Sequence, residues 1–98
     1  MAATDTVRHK EKITVTIDAA GERAQLGDTA ILRNLDTETV VPVSIPQGAD
    51  PGPAAGAALA HAIGDEFEIP LKGPKNPQPR MVPHRFEKIE RVIEIEKR

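Results

Sequence analysis

Residues 48–71 constrain the fold most, because they encode a helix start, a helix stop and a strand in immediate succession. Gly52 and Pro53 lie where a helix begins, since the fixed φ and missing N–H of proline cost nothing at the first helical position. Apolar residues then recur at helical spacing, and Gly64 supplies the left-handed residue that ends many helices. The next segment alternates charged and apolar residues, which predicts a strand that buries Phe67, Ile69 and Leu71. We therefore expect one principal helix across residues 53–63, followed by a strand.

Three further strands are predicted upstream by period-two alternation and β-branched residues, at about residues 12–18, 29–35 and 39–45. The apolar face of the first of them would carry Ile13, Val15 and Ile17. Pro42 cannot donate to a sheet ladder, so the third strand should lie at an edge, or Pro42 should lie at a bulge. These elements predict an α+β domain with a twisted, mainly antiparallel sheet of four or five strands and one short helix.

The segment from residue 86 to residue 98 fits either a strand or a helix. In a strand, one face would carry Ile89, Ile93 and Ile95. In a helix, Phe86, Ile89 and Ile93 would share a face, and opposite charges would pair at i, i+4. Periodicity favours the helix slightly, so the residues alone leave both possibilities open.

Composition restricts the class of protein. The 98 residues suit one domain, and the core must be mainly aliphatic because Phe67 and Phe86 are its only aromatic residues. Cysteine is absent, which excludes disulfide bonds and thiolate metal sites. No segment is apolar enough to cross a membrane, and residues 1–11 read as a flexible tail rather than a signal sequence. The net charge of −2 argues against strong direct binding of nucleic acid. We expect a cytoplasmic monomer.

The sequence offers no catalytic or metal-binding pattern. No metal-ligand spacing relates the three histidines, His9, His61 and His84. Ser44 lacks the glycine-flanked elbow of a nucleophile. Apolar enclosure, which carboxylate acid–base catalysis needs, is not implied around Asp65, Glu66 and Glu68. We therefore expect no enzyme activity, no catalytic residue, no metal and no cofactor.

Residues 72–85 form a proline-rich basic segment with four prolines, four fixed cations and no acidic residue. Such a segment is stiffened toward polyproline II and does not form regular elements easily. The simplest interpretation is a solvated connecting loop. The alternative is a contact loop for an acidic partner surface or nucleic acid, through Lys72, Lys75, Arg80 and Arg85. The absence of aromatic residues that could stack on bases disfavours nucleic acid.

Two stretches together resemble a known family. One is Leu26-Gly27-Asp28-Thr29 and the strand and turn that follow it as far as Thr37; the other runs from Pro53 to Ile63-Gly64-Asp65-Glu66-Phe67-Glu68-Ile69. Both are similar to the C-terminal domain of Gre-type transcript cleavage factors, an FKBP-like domain that docks on bacterial RNA polymerase. The resemblance places a closing strand at residues 86–93 and covers about residues 26–93. It implies a single Gre C-terminal-like domain over residues 12–95.

The resemblance also implies a partner and a contact site. In Gre-type factors the turn at this helix start contacts a coiled coil of the polymerase β′ subunit. The corresponding turn here contains Asp50, Gly52, Pro53 and Ala54, which we expect to bind the partner. Only Pro53 matches directly, because Pro51 takes the place of the family's aspartate and Asp50 lies one position away. The alternative interpretation is that these residues only start the helix.

The family's cleavage activity needs a long N-terminal coiled coil whose acidic tip holds Mg²⁺. About 25 residues precede the matched region, and as a helix they would span only about 38 Å. We therefore expect a non-catalytic polymerase-binding module that regulates transcription elongation. The alternative function is a small interaction or regulatory domain unrelated to transcription. A peptidyl-prolyl isomerase of the FKBP type is disfavoured, since two phenylalanines cannot line its aromatic pocket.

Overall fold

The domain is organised around one long strand. The computed structural model describes residues 9–71 and 78–97, and these form five strands and one helix. The elements are β1 (His9–Ile17), β2 (Thr29–Asn34), β3 (Thr39–Ser44), α1 (Gly52–Ala60), β4 (Glu66–Leu71) and β5 (Arg80–Lys97). All strand pairs are antiparallel, which confirms the expected sheet with one short helix. At about 3.3 Å per residue, β5 extends about 60 Å, close to the molecule's longest dimension of 66 Å.

Both edges of β5 are used for pairing. Its residues 84–90 pair with β2, and the sheet continues from β2 to β3. Residues 80–85 pair with β4 and residues 89–97 with β1. Because His84 and Arg85 pair with β2 and β4 at once, β4 and β1 follow one another along the edge opposite β2. β3 is an edge strand, so the expectation drawn from Pro42 is confirmed.

The core lies between one face of this sheet and α1. Strands β2, β4 and β5 supply Ala30, Leu32, Phe67, Ile69, Phe86 and Ile89 to it. The helix contributes the buried alanines Ala55 and Ala58, whose small side chains let it approach the sheet closely. Leu59, on the expected apolar stripe, is only half-buried. The helix ends at Ala60 rather than residue 63, and the buried Ile63 belongs to the following turn.

Several expected boundaries are wrong. The expected tail of residues 1–11 overlaps β1, which begins at His9 because residues 9–11 pair with residues 95–97. The expected loop of residues 72–85 overlaps β5, since residues 80–85 pair with β4; residues 72–77 lie outside the described residues. Residues 86–97 form a strand, because β2 and β1 together provide partners for them. This tertiary pairing outweighs a slight helical periodicity.

Residues 10–15 of β1 and 91–96 of β5 form a two-stranded ribbon, here called the β1–β5 ribbon. The expectation that Ile13 faces the core is wrong, because it lies in this ribbon and is 39% exposed. Its cross-strand partner Ile93 is 38% exposed. Only Ile17, at the base of the ribbon, packs against the core. Leu71 is likewise exposed at the end of β4, although Phe67 and Ile69 are buried as expected.

Two glycines should respond to substitution in opposite directions. Gly64 has φ +101°, so Gly64→Ala should lower the free energy of unfolding by about 1–2 kcal/mol. Gly56 lies inside α1 with ordinary φ, and an added Cβ would meet only the Pro51 Cγ at 4.0 Å. Gly56→Ala should therefore raise the free energy of unfolding by about 0.5–1 kcal/mol. Urea denaturation of the two variants would measure both changes, and a common sign would contradict the prediction.

Candidate partner-binding site

The expected partner-binding residues form one turn at the start of α1. The Asp50 carboxylate accepts a hydrogen bond from the Gly52 amide, with an Oδ1 to N distance of 3.0 Å. Gly52 has φ +79°, a conformation that favours glycine at this point. Asp50 and Pro53 are exposed, whereas Gly52 and Ala54 are half-buried. The structure thus brings the four residues together on one surface, hereafter the helix-start turn.

The helix-start turn presents weakly positive backbone. The Gly52 amide donates to Asp50, but no N-cap side chain serves the amides that follow it, and the first turn of α1 contains no acidic residue. The free N–H groups at a helix start carry the positive end of the helix dipole. A partner surface with a hydrogen-bond donor for the exposed Asp50 carboxylate and carbonyl groups for these amides would therefore suit this turn.

Packing of α1 fixes the position of the turn. The His61 ring, just after the helix, stacks on Phe67 with a centroid distance of 4.3 Å and an interplanar angle of 13°. Its Nδ1 lies 2.8 Å from the carbonyl oxygen of Ala57. Phe67 in turn meets Phe86 edge-on at 6.5 Å. This row of rings joins the end of α1 to the core, so His61 holds the helix in place.

The structure does not assemble the expected basic contact loop. The Arg80 Nη2 lies 3.1 Å from the Asp36 Oδ2, and the Arg85 Nη2 lies 3.0 Å from the Glu66 Oε2. Both arginines are strand residues, so the expectation that they extend from a loop is wrong. Two further members of the expected set, Lys72 and Lys75, lie outside the described residues. A partner would have to compete with Asp36 and Glu66 for the two arginines.

An ion pair between Asp28 and Arg91 was not predicted from the sequence. The Asp28 side chain is 4% exposed and that of Arg91 27%. The guanidinium donates twice, from Nε to Oδ1 at 3.0 Å and from Nη2 to Oδ2 at 2.9 Å. The Gln25 amide donates to the same Oδ2 at 2.8 Å. The pair joins the loop before β2 to the base of the β1–β5 ribbon.

The environment of Asp28 stabilises its charged form. Burial alone would raise the pKa of the carboxyl. The hydrogen bonds from Arg91 and the Gln25 amide, with the positive charge of Arg91, outweigh burial and hold the pKa of Asp28 below its usual value. The hydrogen bond to Asp28 in turn raises the pKa of Arg91. This ion pair therefore has a structural role.

Asp28 and Asp65 occupy the same kind of turn. The Asp28 amide donates to the Gln25 carbonyl at 3.1 Å, and the Asp65 amide to the Ala62 carbonyl at 3.0 Å. Each carboxylate accepts a hydrogen bond from the amide three residues earlier. The glycines before them have φ +92° and +101°, and a strand follows each turn. The Gly-Asp pair in both family-like stretches was the sequence signal for this repeated turn.

Comparison with known proteins identifies no relative, since the chain matches no protein-family model, no curated protein sequence and no solved structure. Within residues 9–71 and 78–97, no three His, Asp or Glu side chains are grouped as metal ligands would be. In the same residues no helix has the length and apolar character needed to cross a bilayer.

Proposed function

We propose that this chain is a non-catalytic RNA polymerase-binding module of the Gre C-terminal type, with an FKBP-like arrangement of sheet and helix, that regulates transcription elongation. The observation that carries the proposal is the order of features in residues 50–69. An exposed Pro53 turn, a short helix, a Gly-Asp turn and a strand follow one another, as in the Gre-type domain. The contact with polymerase is the helix-start turn.

The geometry of the turn supports this role. Asp50 and Pro53 are exposed, while α1 behind them is anchored through Ala55, Ala58 and the His61 ring. A rigid, exposed turn loses little entropy when it docks. A domain of this size offers about 600–800 Å² per side, so binding should be weak to moderate.

The fold also supports binding without transcript cleavage. Residues 9–17 form β1 and pair along their whole length with β5. A strand held in the sheet cannot also form part of a helical arm that enters the polymerase. The module would therefore occupy the docking site of a cleavage factor and compete with it.

Binding to the RNA polymerase of its own host tests the proposal. The purified chain should retain polymerase in a pull-down and should not stimulate cleavage of backtracked transcripts. The double variant Asp50→Ala with Pro53→Ala should lose about 1–3 kcal/mol of binding free energy, because it removes the centre of a small interface. Biolayer interferometry with purified polymerase would measure the loss.

A matched control is Asp18→Ala with Pro42→Ala, which changes the same residue types at exposed positions outside the helix-start turn. It should bind as the wild type does, and circular dichroism should show both double variants folded. Full binding by the folded Asp50 and Pro53 variant would move the contact away from the helix-start turn. No association of the wild type with polymerase would favour the alternative, an interaction domain unrelated to transcription.

A further inference from the structure

One stretch of β5 has an edge without a partner strand. The edge that carries β4 and β1 is paired at residues 80–85 and 89–97, and Gly64 and Asp65 bond to Phe86 between the two strands. On the opposite edge β2 begins at Thr29, paired with Glu90. No other strand of the described residues pairs with residues 91–96 on that side. We call this the open β5 edge.

The other outer strands carry features that discourage added strands. A proline interrupts β3 at Pro42 and β4 at Pro70, and lysines lie along β1 at Lys10 and Lys12. Prolines and lysines are common means of protecting sheet edges. The open β5 edge has neither within residues 91–96, where the sequence is Arg-Val-Ile-Glu-Ile-Glu. The sheet has five strands, and the open β5 edge would accept a sixth only if the side chains of the added strand match.

The strand β1 shows which side chains match this part of β5. On one face of the ribbon Ile13 lies opposite Ile93. On the other face, lysines lie opposite glutamates, in the pairs Lys12 with Glu94 and Lys10 with Glu96. The Lys10 Nζ also lies 3.8 Å from the Glu94 Oε1. Side chains directly opposite one another are the pairs that stabilise a sheet.

We propose that the open β5 edge binds an extended segment of a partner protein in which lysine or arginine alternates with β-branched apolar residues. The segment adds to the sheet as a strand in line with β2. Its cations lie beside Glu94 and Glu96, and its apolar side chains cover Ile93, which is 38% exposed, and the half-buried Ile95. This proposal is independent of polymerase binding through the helix-start turn.

A second copy of this chain fits the edge poorly. Two β5 edges could pair in antiparallel fashion with their apolar faces on the same side of the sheet. Depending on the register, Glu94 would then lie opposite Glu94 or Glu96 of the second copy, or Glu96 would lie opposite Glu90. Like charges directly opposite destabilise a strand pair. The outer edge of β1 could instead pair with the open β5 edge of another copy. Such a head-to-tail contact would extend into a chain of molecules rather than form a closed dimer. A basic segment from a different protein avoids both problems.

The test uses the full isotope-labelled chain and a capped heptapeptide, Thr-Lys-Val-Lys-Val-Lys-Thr. We expect the amide resonances of residues 91–96 to shift on titration while β1 stays protected from hydrogen exchange. The acidic peptide Thr-Glu-Val-Glu-Val-Glu-Thr should bind with an affinity lower by about tenfold or more, since it places glutamates against Glu94 and Glu96.

A charge-reversal pair then separates the open β5 edge from general electrostatics. Glu94→Lys should weaken binding of the basic peptide about tenfold. Glu68→Lys makes the same change at an exposed position of β4, beside Pro70, and should leave binding unchanged. Thermal unfolding would check that both variants fold.

Three results would overturn the proposal. One is equal binding of the two peptides, or no binding of either. Another is a set of amide chemical-shift changes confined to the outer edge of β1 or to α1. The third is a wild-type protein that sediments as a dimer with residues 91–96 already protected from exchange, since a second copy would then occupy the edge.

Discussion

Replacing Phe86 with alanine should lower the free energy of unfolding by about 3–5 kcal/mol. Phe86 is fully buried in the middle of β5, at the point where β4 and β2 meet this strand. Its ring packs edge-on against Phe67, the only other aromatic residue of the chain apart from histidine. The surrounding alanines and aliphatic side chains are too short to fill the cavity. Urea denaturation followed by circular dichroism would measure the loss.

Two further variants make this result interpretable. Val92→Ala removes apolar atoms from the same strand at a position that is 57% exposed, and it should cost less than about 0.5 kcal/mol. Phe86→Leu retains most of the apolar volume, so it should lose less stability than Phe86→Ala. It should remain folded even if Phe86→Ala proves too unstable to measure. A loss below about 1 kcal/mol for Phe86→Ala would show that the ring is not packed as described.

Replacing Asp28 with asparagine should lower the free energy of unfolding by about 2–4 kcal/mol near neutral pH. The change leaves the Arg91 guanidinium without its carboxylate at a site that is largely removed from water. This loss lies toward the lower end of the range found when one partner of a buried ion pair is removed, because Arg91 is partly exposed to solvent. Asp65→Asn is the matched control, since Asp65 makes the same turn and its carboxylate forms no ion pair within the described residues. It should cost about 1 kcal/mol or less.

The effect of Asp28→Asn should depend on pH with a definite sign. The pKa of Asp28 is lowered in the folded state, whereas the unfolded chain has an aspartate pKa of about 3.9. The stabilisation is therefore complete above about pH 5 and is lost as the pH falls below 3.9 and through the folded pKa. The difference in free energy of unfolding between wild type and Asp28→Asn should therefore be constant from about pH 6 to pH 5 and smaller at about pH 2.5. Denaturation curves giving a difference that stays constant over this whole range would contradict the role assigned to this ion pair.

Local features of the fold were accessible from the sequence. The helix and the strand with Phe67 and Ile69 depend on residues within a few positions of one another. The edge position of β3 followed from one residue, Pro42, because a missing N–H restricts where a strand can lie. The helix-start turn was located in a similar way, since Pro53 has a fixed φ and Gly52 accepts the positive φ that the turn requires.

Features that depend on distant residues were missed. The Asp28 and Arg91 side chains are separated by 63 positions in the chain, and neither lies in a pattern that indicates the other. Arg80 and Arg85 belong to β5 because β4 pairs with them, and the charges that bind them come from other elements. The exposure of Ile13 and Ile93 likewise cannot be seen in an alternating pattern. It depends on where β2 ends beside β5.

The position of β5 in the chain also governs when the protein can fold during synthesis. Of the described strands, β1, β2 and β4 all take their partner from β5, and only β2 and β3 can pair before it is made. A single hairpin is marginally stable in water. While residues 80–97 remain in the ribosome, β1 and β4 lack the strand with which they pair, and their apolar side chains stay exposed. A ribosome that stalls within this strand would therefore hold a nascent chain that proteases and chaperones recognise as unfolded.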